Sequence, residues 1–134
     1  MFELDEHLAN DTARVGDMPV CRVLLMKDAR FPWAILAPRR EGLFDFHDMT
    51  PADRRDVMEE VARVSVALQK LTGATKMNVA ALGNVVRQLH IHVVARFEHD
   101  DAWPRPVWGL GTPLPYGDGE AEACAAALKE ALGI

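Results

Sequence analysis

The chain has 134 residues, 49% apolar and 26% charged, the balance of a globular domain large enough to hold its core without disulfides or metals. A net charge of −5 excludes a general grip on nucleic acid, which needs a basic surface, but leaves room for a small phosphate ligand served by local donors. No stretch is apolar enough to span a membrane, the acidic start Met1 to Glu6 does not read as a signal peptide, and Cys21 and Cys124, with no CxxC pair, read as buried free thiols, so the expected location is the cytoplasm.

Leu4 to Asn10 fits one short helix. Two apolar runs follow, Ala13 to Val15 and Val20 to Met26, and Gly16-Asp17 between them suggests a hairpin turn. Trp33 to Ala37 is a buried strand stopped by Pro38. Thr50-Pro51-Ala52-Asp53 is a helix start, and Val57, Val61, Val64 and Leu68 continue it as an apolar stripe to a stop before Gly73. Arg54-Arg55 and Glu59-Glu60 are expected on its solvated face. Lys76 to Ala81 alternates as a strand, Gly83-Asn84 marks a turn, and Leu89 to Phe97 is the next strand. A loop rich in Trp and Pro, Trp103 to Pro115, leads to a last helix, Glu120 to Leu132. Strands, helix, strands, helix predict an α+β domain with an antiparallel sheet of about five strands.

The chemistry concentrates in Gln88-Leu89-His90-Ile91-His92-Val93-Val94. Residues two apart share a face of a strand, so Gln88, His90 and His92 should lie together, with Leu89, Ile91 and Val93 turned to a helix. Three readings compete: structural histidines, a metal pair lacking a third ligand at recognised spacing, and phosphate chemistry with one imidazole attacking and one donating.

This run resembles the signature of the histidine triad (HIT) superfamily, His-φ-His-φ-His-φ-φ with φ apolar. Asn78, Gly83-Asn84, the strand Trp33 to Ala37 with Pro38-Arg39-Arg40, and the Thr50 to Leu71 helix extend the likeness over Val20 to Phe97. The resemblance implies a HIT-like fold over residues 1–134, helices packed on the sheet, and a two-fold homodimer. It implies that His90 attacks the α-phosphorus of a nucleotide, with one ring nitrogen bare and the other donating to a backbone carbonyl. His92 would stabilise developing charge, Asn78 and the turn at Gly83, Asn84 and Val85 would contact phosphate, and Asp28 would match a ribose-binding acid.

Two departures stand out against the family pattern. Gln88 replaces the first histidine, and Trp33 falls where an upstream histidine often partners it; an amide keeps a hydrogen bond but cannot titrate. Val85 stands where the phosphoramidase branch carries a leaving-group serine, which favours a polyphosphate leaving group. The resemblance thus implies a nucleotide hydrolase or nucleotidyl transferase using no protein-bound cofactor or metal, with Mg²⁺ at most accompanying the substrate. The alternatives are a nucleotide-binding protein without turnover and a metal-dependent hydrolase. Trp103 and Trp108 could seal the loop or stack on a base; Arg39, Arg40, Arg87 and Arg96 are candidate phosphate donors, mostly expected at the surface.

Overall fold

A computed structural model of residues 1–134 contains, in chain order, α1 (Glu6–Asp11), β1 (Thr12–Asp17), β2 (Cys21–Met26), β3 (Trp33–Pro38), a 3₁₀ turn (Phe46–Asp48), α2 (Pro51–Thr72), β4 (Lys76–Ala80), β5 (Ile91–Arg96) and α3 (Glu120–Leu132). The strands form one antiparallel sheet in the order β1-β2-β3-β5-β4, the α+β arrangement expected. Helix α2 begins as its sequence dictates: the Thr50 side chain accepts from the Asp53 amide at 3.1 Å, and Pro51 occupies the first turn. It ends on Gly73 at φ +71°, a left-handed cap that favours glycine.

Alternation along the strands sorts the core into two layers. Val57, Val61, Val64 and Leu68 of α2 pack with Ile91, Val93 and Ala95 of β5 in the larger one, joined by Leu128 and Leu132 of α3. On the opposite face Trp33, Ile35 and Val94 pack with Leu8 of α1 and with Ala102 and Val107 of the long loop after β5. His92 lies on this second face, as β5 alternation requires, so the imidazole is covered by a loop rather than by a main helix.

Several expectations need correction. Gly16-Asp17 does not make the hairpin turn; it closes β1, whose register shifts between Arg14 and Gly16, while Met18 to Cys21 forms the turn with Met18 N donating to Cys21 O at 2.8 Å. Gly16 is small because a Cβ there would come within 3.1 Å of the Ile134 side chain. Glu60 is not solvated: it is buried, and its carboxylate accepts from the amides of Val20 and Cys21 at 2.9 and 2.7 Å, tying α2 to the hairpin. Cys21 is buried as expected, and burial, reinforced by Glu60, pushes its thiol up; Cys124 is exposed. Nor does β5 start at Leu89: regular pairing begins at Ile91. No helix is long and apolar enough to cross a membrane.

Candidate active site

Local backbone geometry sets the state of each histidine. His90 sits just before β5, 6% exposed, with Nδ1 2.6 Å from the Gln88 carbonyl oxygen. A carbonyl only accepts, so Nδ1 carries the hydrogen and Nε2 of the neutral ring carries a lone pair. His92, 5% exposed, has the opposite arrangement: Trp33 Nε1 donates to its Nδ1 at 2.9 Å, so the hydrogen of the neutral ring is on Nε2. The two rings lie edge to face, 4.9 Å between centroids. Neither Nε2 is a buried atom lacking a partner, and neither is hydrogen-bonded, which leaves both open to solvent. Burial, with a smaller contribution from His90, brings the His92 pKa down to about 3.

The aromatic surroundings come from two elements. Trp33 on β3 lies edge-on to His92 at 5.6 Å, and Trp108 from the long loop approaches both, at 5.3 Å from His92 and 5.9 Å from Trp33. Trp108 therefore belongs to this cluster, and its buried indole N–H has no partner. Trp103 does not: it stacks under the Arg96 guanidinium, 5.6 Å from its ring centre. Two cavities adjoin this cluster, one against the two tryptophans and one against His90. One of about 330 Å³ is lined by Trp33, Trp108, Asp28, Arg30 and Lys27, and one of about 230 Å³ by His90, Gly83, Phe44, Phe46 and His47.

The other expected site residues are distributed as follows. Gln88 offers its carbonyl to His90, but its side chain is bound by the N-terminal segment, accepting from Asp5 N at 2.8 Å and donating to Glu3 O at 2.7 Å. The expected row of three polar side chains on one strand face is therefore corrected to a pair of imidazoles, with the Gln88 amide engaged elsewhere. Asn78 pairs with Val94 on the His92 face of the sheet, and its Oδ1 accepts from Arg96 at 2.9 Å. Gly83, at φ +80°, shares the smaller cavity with His90, while Asn84 and Val85 are exposed. Asp28 is buried beside the larger cavity, its carboxylate held by Arg30 at 2.8 and 3.0 Å and by the Leu114 amide at 3.3 Å.

Trp33 and Arg96 also differ from the expectation set by the sequence. Trp33 partners His92 and makes no bond to position 88; an indole inside an apolar strand reads as core, and only its register opposite β5 betrays the contact. Arg96 is 1% exposed and is no surface phosphate donor: Asp100, Asn78 and the Arg105 carbonyl hold it. Arg39 binds the carbonyls of Met18 and Pro19, Arg40 pairs with Asp53, and Arg87 lies over Phe44. No group of three or more His, Cys, Asp or Glu side chains is placed to hold a metal ion.

Comparison with known proteins shows the family and the fold. No curated protein matches the chain. Among solved structures, a histidine triad protein from Bradyrhizobium japonicum is 42% identical, with 98% of each chain covered and a TM-score of 0.94. One from Sinorhizobium meliloti 1021 is 44% identical, with 96% of each chain covered and a TM-score of 0.93. A third, from Marinobacter aquaeolei VT8, is 41% identical over 99% of this chain and 97% of its own, with a TM-score of 0.95. The family model described as the HIT domain matches residues 7–99, which span β1 to β5 and both histidines, and the chain belongs to that family.

Proposed function

We propose that residues 1–134 form one domain that transfers a nucleotidyl group through His90, hydrolysing a nucleotide at its α-phosphate or passing the nucleotidyl group to another acceptor. The observation that carries this reading is the complementary state of the two imidazoles: His90 Nε2 offers a lone pair beside a His92 Nε2–H that can only donate while neutral. In the first step the His90 Nε2 lone pair attacks the α-phosphorus, and the bond to the leaving group breaks with its electron pair. The imidazole becomes cationic, and the charge is supported through Nδ1–H on the Gln88 carbonyl. His92 Nε2–H donates to an α-phosphate oxygen as charge develops there. Water then attacks phosphorus, the P–N bond breaks back onto Nε2, and the water's proton leaves to solvent.

Asn78 and the turn at Gly83, Asn84 and Val85 are proposed to meet the phosphates, and Asp28, with Trp33 and Trp108, to border the nucleoside in the larger cavity. Mg²⁺ enters only with a polyphosphate substrate. Two free cysteines suit a cytoplasmic setting. The reading is tested by mixing an excess of the protein with each nucleotide in single turnover and weighing it intact. A transient gain of one nucleotidyl group on His90 is expected; binding without any such adduct, across dinucleoside polyphosphates, phosphoramidates and adenylyl sulfate, leaves the second reading, a nucleotide-binding protein. That second reading is favoured by the engagement of the Gln88 amide with Glu3 and Asp5.

The same proposal includes a homodimer. β4 is a free sheet edge; Val79 on it and Leu82 just after it are 48% and 49% exposed, with Val85 89% exposed. Light scattering is expected to give twice the chain mass, and Val79→Asp is expected to weaken association about tenfold or more by placing charge on that edge. A monomer at micromolar concentration would remove the dimer from the proposal.

A further inference from the structure

We propose that Trp33 is a positioning residue that fixes His92 as a neutral Nε2–H donor, and that the site is thereby restricted to nucleotides whose leaving group departs as a stable anion. The second half rests on the nucleotidyl-histidine reading above; the first does not.

An indole N–H can donate and cannot accept. At 2.9 Å from His92 Nδ1 it forbids a hydrogen on that nitrogen, because two N–H groups would then face each other. Escape is blocked on the Trp33 side: the residue is 6% exposed, sits in the register of β3 opposite Val94, and is wedged between Phe31 and Trp108 at 6.4 and 5.9 Å. A histidine at this position could switch between donating and accepting, whereas tryptophan holds one state at every pH.

The groups facing His92 reinforce the lock. His90 is the titratable neighbour, 4.9 Å away, and a second positive charge beside it is unfavourable. β3 contributes Trp33 and Ile35, the long loop contributes Trp108, and the β4 partner of His92 is Ala80, so none of these contacts brings a carboxylate to stabilise an imidazolium.

A neutral Nε2–H can stabilise a phosphate oxygen, but surrendering its proton would leave an imidazolate. His92 therefore serves as a hydrogen-bond donor and not as an acid. Neither position that could supply an acid beside it does so: Val85 has no hydroxyl, and the Gln88 amide is bound to the N-terminal segment; His47, which lines the cavity beside His90, is turned to solvent near Asp48. When the P–O bond of an anhydride breaks, the electron pair rests on phosphate, polyphosphate or sulfate oxygen, which needs no proton. When a P–N bond breaks, the amine must gain one, and the missing acid is worth about 10²-fold or more.

Two measurements on the intact protein decide this. Ring ¹⁵N signals of His92 are expected to keep the Nε2–H pattern from about pH 8 to about pH 5, with the Trp33 indole proton shifted downfield by its hydrogen bond. A hydrogen on Nδ1, or protonation of His92 above about pH 5, would overturn the proposal. In parallel, the ratio of kcat/KM for adenylyl sulfate or a dinucleoside polyphosphate to that for a nucleoside phosphoramidate is expected to be about 10² or more, and to fall about tenfold in Trp33→Phe, where Nδ1 of His92 is no longer blocked from carrying a hydrogen. Equal use of both substrates by the wild type would overturn the leaving-group half. If no nucleotide turns over while the Nε2–H pattern holds, the positioning role of Trp33 stands and the catalytic reading falls, together with its leaving-group consequence.

Discussion

Replacing His90 by alanine is expected to abolish the nucleotidyl adduct and lower turnover by about 10³-fold or more, because the only lone pair aimed from this site is lost. The fold should survive. The variant gives up one hydrogen bond to the Gln88 carbonyl, worth about 1 kcal/mol, and a ring just before the start of β5 rather than in the larger core layer. His90→Gln is the sharper control, since its amide can still donate near that carbonyl but offers no nucleophile. Thermal melts close to wild type in both variants, with no adduct in either, are the expected pattern. Turnover in His90→Ala equal to that of the wild protein would remove His90 from the mechanism.

The elements that the sequence made legible are those governed by local rules. Thr50, Pro51 and Gly73 bracket α2 by capping chemistry that acts within a few residues, and the structure reproduces it. The apolar stripe of α2 and the alternation of β5 likewise dictate which side chains meet, whatever the rest of the chain does. His90 and His92 were identifiable for the same reason: two imidazoles on a core strand are costly unless used. Three misjudged residues, Glu60, Gln88 and Trp33, share a different trait, since their partners are distant in sequence. Glu60 looks like half of a solvated pair until the hairpin amides, about forty residues away, arrive to bind it. Gln88 answers to Glu3 and Asp5, and Trp33 to His92, contacts that only strand order and register reveal. Arg96 was misread because one buried arginine among fifteen basic residues carries no local mark.

Asp100→Ala is expected to destabilise the protein by about 3–5 kcal/mol, the usual cost of stranding a buried charge. Arg96 has nowhere else to go: it is 1% exposed, and Asp100 meets its Nε and Nη2 at 2.8 and 3.1 Å. The same carboxylate gathers the amides of Phe97, Ala102 and Trp103, so it also folds the start of the loop that carries Trp108 to His92. Burial pushes the Asp100 carboxyl up, but Arg96 and those amides outweigh it and hold it at about 2, against an ordinary 3.8. Its contribution is therefore present above pH 3.8 and lost as pH falls toward 2. His92 acts in a higher window. Its ring titrates near 6.5 in the unfolded chain and about 3 when folded, so stability declines as pH drops from 6.5 toward 3, where the unfolded chain takes up a proton that the folded one refuses. Urea unfolding across this range should then separate the two groups. Asp100→Ala should make the wild-type decline below 3.8 shallower, Asp17, Asp28 and Asp48 still contributing to it, and leave the His92 decline from 6.5 intact. An unchanged slope below 3.8 would deny Asp100 its place as the acid-sensitive anchor of the loop.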